Sequence, residues 1–80
     1  MTALRLYVRE GCHLCEEMLK DLQRVLQNRE IQLELIDVDR SPGKLDDYGS
    51  RVPVLESAQG ACLSEYFLDE VKLINYLDGV

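Results

Sequence analysis

Gly11-Cys12-His13-Leu14-Cys15-Glu16 is the stretch on which the reading of this chain turns. Before it, residues 4–8 form a short apolar run, and after it residues 15–26 carry the periodicity of a helix. Two cysteines three residues apart, where a strand hands over to a helix, point to thiol–disulfide chemistry. Gly11 ends the strand and permits the tight turn that the handover needs.

Working outward, Leu4, Leu6 and Val8 alternate with Ala3, Arg5 and Tyr7, the period of two of a strand. Cys15, Met18, Leu19, Leu22, Val25 and Leu26 then fall on one stripe of a helix that closes near Asn28. Residues 31–38 predict a second strand, and turn formers from Asp37 to Gly43 break it. Residues 44–48 predict a turn or two of helix ending at Gly49. Residues 52–55 and 61–63 predict two short strands joined by a hairpin over residues 57–60. A last helix is expected to start at Asp69 and stop at Gly79, with Val71, Ile74 and Leu77 on one apolar stripe, joined by Leu73 beside it.

A right-handed crossover through the first helix makes the first two strands parallel, and the hairpin makes the last two antiparallel. The expected fold class is therefore α/β, a mixed four-stranded sheet flanked by helices in the order β-α-β-(α)-β-β-α, in a single domain over residues 1–80.

The totals narrow the field. With 46% hydrophobic and 30% charged residues the chain reads as globular rather than disordered. A domain of 80 residues buries only about 60% of its unfolded surface, so its core is modest. No apolar run is long enough to cross a membrane, and the first residues lack the basic region and apolar run of a secretory signal. A cytoplasmic location and a monomeric state are expected. The formal charge of −6 disfavours nucleic acid and anionic membranes as partners. Three cysteines, an odd number, argue against a purely structural disulfide framework.

The cysteine pair itself is asymmetric. Cys12 is expected at the helix N-terminus, where free N–H groups and the helix dipole favour a thiolate. Cys15 opens the apolar stripe, where burial keeps a thiol protonated. Cys12 is thus the expected nucleophile and Cys15 the resolving thiol. A protonated His13 would favour the Cys12 thiolate, and Glu16 and Glu17 would oppose it. Two other readings use the same residues: half of a zinc site completed by Cys62 and His13, and a pair of inert core cysteines. His13 between the cysteines points away from their shared face, and Cys12 beside Gly11 is poorly placed for a core. Cys62 reads as a small buried hydrophobe.

These residues resemble the thioredoxin superfamily, and in particular small bacterial glutaredoxin-like proteins. The resemblance rests on the strand, Gly11-Cys12-His13-Leu14-Cys15 and helix, on Arg51-Val52-Pro53-Val54-Leu55, and on the strand-hairpin-helix finish. It implies a thioredoxin-like fold, a cis Val52–Pro53 bond beside the cysteines, and a substrate chain that pairs with the backbone of Val52. It also implies a dithiol–disulfide oxidoreductase with Cys12 and Cys15 catalytic. Arg9, His13, Leu14, Val52, Pro53, Ser64 and Glu65 are the implied substrate contacts.

The chain departs from the family pattern in three places. His-Leu stands between the cysteines, no tryptophan precedes Cys12, and Ala61-Cys62-Leu63-Ser64-Glu65 stands where glutaredoxins carry a Gly-Gly pair and an acidic residue that hold glutathione. Ser64 and Glu65 are the candidates to substitute there, and Arg9 takes the place of a basic residue common ahead of the cysteines. No cofactor or metal is required on this reading, and glutathione enters as a co-substrate. The expected partners are a disulfide-containing protein or a small thiol, with glutathione or a thioredoxin reductase as electron donor. The alternative is a binding role without turnover, such as a glutathione-assisted iron–sulfur carrier or a redox-sensing interaction module.

Overall fold

The alternation in the first strand decides how the sheet is dressed. In a computed structural model, which describes residues 2–79, β1 (Thr2–Val8) sends Leu4 and Leu6 to one face and Arg5 and Tyr7 to the other. The chain continues through α1 (His13–Val25), β2 (Ile31–Asp37), a short 3₁₀ turn (Val38–Arg40) and α2 (Pro42–Tyr48). It ends with β3 (Val54–Ser57), β4 (Cys62–Glu65) and α3 (Glu70–Asp78). The sheet order is β2-β1-β3-β4. β1 and β2 are parallel, while β1 with β3 and β3 with β4 are antiparallel. This is the mixed thioredoxin-like α/β sheet expected from the sequence.

Several boundaries shift for physical reasons. β2 stops at Asp37, because its carboxylate accepts the Asp39 N–H at 2.9 Å and opens the 3₁₀ turn that buries Val38. The loop after α1 turns at Asn28, which adopts the left-handed φ of 68° that asparagine tolerates. Val52 and Pro53 precede β3 instead of opening it, and their peptide bond is cis. β4 runs to Glu65 because Ser64 and Glu65 pair with Leu55 and Val54, with a bulge between Leu55 and Glu56.

The α3 stripe is the clearest correction. Leu73 is 0% exposed and joins the core, whereas Val71 is 72% exposed. Tyr76 and Leu77 pack beside Leu73, and Asp69 caps the helix by accepting the Lys72 N–H at 3.0 Å. The helix is rotated so that the Leu73 edge, not the Val71–Ile74 edge, meets the sheet.

The two faces of the sheet are built differently. On the α1 and α3 side, Leu4, Leu6, Met18, Leu22, Leu55, Leu63 and Leu73 form an apolar core. On the α2 side, Tyr7, Val38 and Val54 form a smaller cluster. There the Glu56 carboxylate, 2% exposed, accepts bonds from Arg5 Nε at 2.8 Å, the Tyr7 hydroxyl at 3.1 Å and the Tyr48 hydroxyl at 2.6 Å. Lys44 Nζ lies 3.6 Å from it and over both tyrosine rings. Burial alone would push the Glu56 carboxyl up, but the bonds from Tyr48, Arg5 and Tyr7 and the Lys44 charge hold it below the ordinary range. The bond to Glu56, and then burial, push Tyr48 up to about 12.

Candidate functional site

The cysteine pair is placed by a short chain of local constraints. After β1, Arg9 and Glu10 lead to Gly11, whose φ of +75° is open to glycine and costly for other residues. The turn closes with the Cys12 N–H on the Arg9 carbonyl at 3.3 Å. Cys12 is the N-cap of α1, in extended conformation, and its Sγ accepts the Cys15 N–H at 3.1 Å. Cys12 and Cys15 are joined as a disulfide, with Cα atoms 5.2 Å apart. Cys15 is buried at the head of the α1 stripe and Cys12 is half-buried. The sulfur that a partner can reach is therefore the one at the helix terminus.

Around the pair lies a cleft of about 220 Å³, lined by Val8, Arg9, Glu10, Gly11, Glu16, Leu19 and Leu35 together with both cysteines. Arg9 belongs to this cleft, but its guanidinium is engaged. Nη2 and Nε reach the two Asp39 oxygens at 2.9 and 3.2 Å, and Nη1 reaches the Gly49 carbonyl at 3.4 Å. His13 is exposed on the first turn, 4.0 Å from Glu16 and 3.7 Å from Glu17. Leu14 is half-buried in the same turn.

The third strand arrives at the same end of the sheet. Tyr7 faces Val54 in an antiparallel pair, so one step back along the chain brings Pro53 to the level of Val8, where β1 leaves for Cys12. Pro53 is buried, and its carbonyl accepts the Tyr66 N–H at 2.9 Å. Val52 packs against the Tyr7 cluster.

Ser64 and Glu65 go elsewhere. The buried Ser64 Oγ accepts the Asp69 N–H at 2.9 Å, which fixes the entry to α3. Glu65 is paired with Arg51. Both line a separate groove with Cys62, Phe67, Asp69 and Lys72, which Cys12 and Cys15 do not enter. The expected substrate contacts thus divide into a set beside Cys12 and a set across β4.

Cys62 is half-buried rather than in the core, because β4 is an edge strand and Cys62 lies opposite Glu56 on the less covered face. Among the described residues, no group of three or more His, Cys, Asp or Glu side chains could hold a metal ion. No helix among them is long and apolar enough to cross a membrane.

Sequence reasoning missed Leu19, Leu35 and Glu10 as cleft residues. Leu19 falls on the apolar stripe of α1 and Leu35 within the second strand, and periodicity alone does not say that their outer edges remain open. Glu56 was missed altogether. Its only sequence signal was a carboxylate in an apolar strand, Val54-Leu55-Glu56.

Comparison with known proteins agrees with this geometry. The chain matches the glutaredoxin-like domain over residues 3–78. It is similar to a protein of Nitrosomonas europaea solved by NMR, with 38% identity over 94% of this chain and 89% of that one and a TM-score of 0.84. A protein of X. campestris, solved by X-ray crystallography, is 28% identical over 96% of this chain and 97% of that one, with a TM-score of 0.76. A malarial protein at 13% identity, covering 99% of this chain and 96% of that one with a TM-score of 0.69, shares the fold alone. No curated protein matches. The paired cysteines at a helix N-terminus and the match across nearly the whole sequence lead to one conclusion: the chain belongs to the glutaredoxin-like domain family of the thioredoxin superfamily and carries a redox-type site.

Proposed function

We propose that this protein is a small dithiol–disulfide oxidoreductase in which Cys12 attacks and Cys15 resolves. The observation that carries the reading is the inequality of the two sulfurs: Cys12 caps α1 with its Sγ on a backbone N–H, and Cys15 is buried. A thiolate at the cap gains from that N–H and from the helix dipole, and a thiol among apolar neighbours keeps its proton.

In the reduced protein the Cys12 thiolate attacks one sulfur of a substrate disulfide and forms a mixed disulfide, and the other substrate sulfur leaves as a thiolate that takes up a proton. Cys15 loses its proton and attacks the Cys12 sulfur. The second substrate thiol departs, and the protein is left with the Cys12–Cys15 disulfide. Two electrons pass to the substrate. Glutathione or a thioredoxin reductase then returns two electrons to the pair. The backbone at Val52, beside the buried Pro53, offers hydrogen bonds to an extended substrate chain.

The test is reduction of insulin and of a small mixed disulfide by wild type, Cys12→Ser and Cys15→Ser, with each donor supplied in turn. Wild type is expected to turn over, Cys12→Ser to lose all activity, and Cys15→Ser to accumulate a trapped mixed disulfide. Wild type inactive with every donor would sink the reading. The pH dependence of alkylation adds a second check: Cys12 is expected to react as a thiolate at lower pH than Cys15.

A further inference from the structure

The cleft at the cysteines does not end there. Leu19 and Leu35 also line a neighbouring groove of about 360 Å³ that continues along Gln23, Leu26, Ile31 and Leu33. Its origin is the position of β2 at the sheet edge. Leu33 and Leu35 stand opposite Leu4 and Leu6 in the parallel register, so all four point to the α1 side of the sheet. Leu4 and Leu6 are fully buried beneath the helices, whereas Leu35 on the edge strand is 52% exposed. An apolar trough therefore runs from the redox pair down the seam between α1 and the edge strand.

The mouth of this trough is acidic. Glu10 and Glu16 line the cleft and both are exposed. Arg9, the one cation among the described lining residues, is paired with both oxygens of Asp39. A site with this charge attracts cations and slows the approach of anions, oxidised glutathione among them. A second copy of this chain, with its net charge of −6, would meet the same repulsion.

We propose that the substrate is a polypeptide disulfide whose cysteine is flanked by a basic residue and, beyond it, by apolar residues. The basic side chain meets Glu10 and Glu16, and the apolar flank lies in the trough on Leu19, Leu33 and Leu35. The opposite flank is left free to pair with Val52. The inference rests on the dithiol–disulfide reading and adds the substrate class to it. The chemistry is unchanged: the reduced Cys12–Cys15 pair gives two electrons to the peptide disulfide, which leaves as two thiols while the pair becomes a disulfide.

The experiment follows single-turnover oxidation of the chemically reduced protein. The oxidants are two synthetic peptide disulfides that differ only in Lys or Glu beside the cysteine, oxidised glutathione, and the small neutral disulfide dithiodipyridine. Each rate is divided by the same protein's rate with dithiodipyridine, which reads the reactivity of Cys12 apart from docking. The Lys peptide is expected to react about tenfold faster than the Glu peptide at low salt, and faster than oxidised glutathione. That preference is expected to shrink at high salt and in the Glu10→Gln, Glu16→Gln double variant. Leu35→Ser is expected to slow the Lys peptide about fivefold through lost apolar contact.

Equal rates for the two peptides, a faster reaction with oxidised glutathione, or no effect of Leu35→Ser overturns the inference while leaving the dithiol chemistry standing. A dimer in sedimentation that Leu35→Arg dissolves assigns the trough to a second copy and also overturns it. Inertness towards every disulfide, dithiodipyridine included, overturns the dithiol reading and this inference together.

Discussion

The two faces of the sheet use the same strands and solve burial in opposite ways. Alternate residues of β1 and β3 supply Leu4, Leu6 and Leu55 to one side and Arg5, Tyr7, Val54 and Glu56 to the other. The first side is closed by two helices with leucine and methionine, and the redox helix α1 rests on it. The second is covered by the short helix α2, which has no fully buried residue, and holds a carboxylate bonded to two tyrosines and an arginine. An apolar core is non-directional and tolerates exchange of one apolar side chain for another of similar volume. A buried carboxylate is stable only while its hydrogen-bond partners stay in place. The site is therefore carried by the more tolerant face, and the stricter face braces the far side of the same strands.

The largest effect should come from the apolar face. Leu22→Ala removes a fully buried side chain from between α1 and the sheet and is expected to cost about 2–5 kcal/mol, read from the urea midpoint. A loss below about 1 kcal/mol would mean that this face is not the main support of the redox helix.

This face was also the more legible one. The stripe Cys15, Met18, Leu22 and the alternation of Leu4 and Leu6 follow directly from periodicity, and the Gly11–Cys15 turn lies where they meet. The Glu56 network was not legible. Arg5 and Glu56 are far apart in sequence, and only the antiparallel β1–β3 register brings them face to face. The acidic mouth and open trough were hidden for a related reason: exposure at a sheet edge depends on strand order, which local patterns do not contain.

Glu56→Ala should come next, at about 2 kcal/mol. Arg5 and Lys44 are partly exposed and can rehydrate, while the Tyr7 hydroxyl loses a buried acceptor. Because the folded Glu56 carboxyl titrates below its unfolded value, its contribution is complete above that value of about 4 and is lost as pH falls through the lower folded one. The gap between wild type and Glu56→Ala should thus be full at neutral pH and close on acidification. A gap that does not change from pH 7 to strong acid would contradict the network.

Tyr48→Phe sharpens the same face more gently. It deletes the 2.6 Å bond to the carboxylate and is expected to cost about 1–2 kcal/mol. A folded value of about 12 lies above the unfolded one near 10, so this contribution holds below pH 10 and is lost as pH rises towards 12. Wild type should lose stability across that alkaline window, and Tyr48→Phe should lose less of it.

The smallest effect is expected at Val71 of α3, where the sequence pattern and the structure disagree. Val71, Ile74 and Leu77 have helical spacing, but spacing fixes only which residues share a stripe and not which stripe faces inward. Tertiary contacts choose, and they choose Leu73, which meets Leu55 and Leu63 in the core while Val71 points to water. Val71→Ser should therefore change stability by less than about 0.5 kcal/mol, whereas Leu73→Ala should cost several times that. The pair of urea midpoints decides the rotation of the helix. If Val71→Ser proved the costlier change, α3 would be turned as its periodicity first suggested, and the apolar face of the sheet would be closed by a different edge.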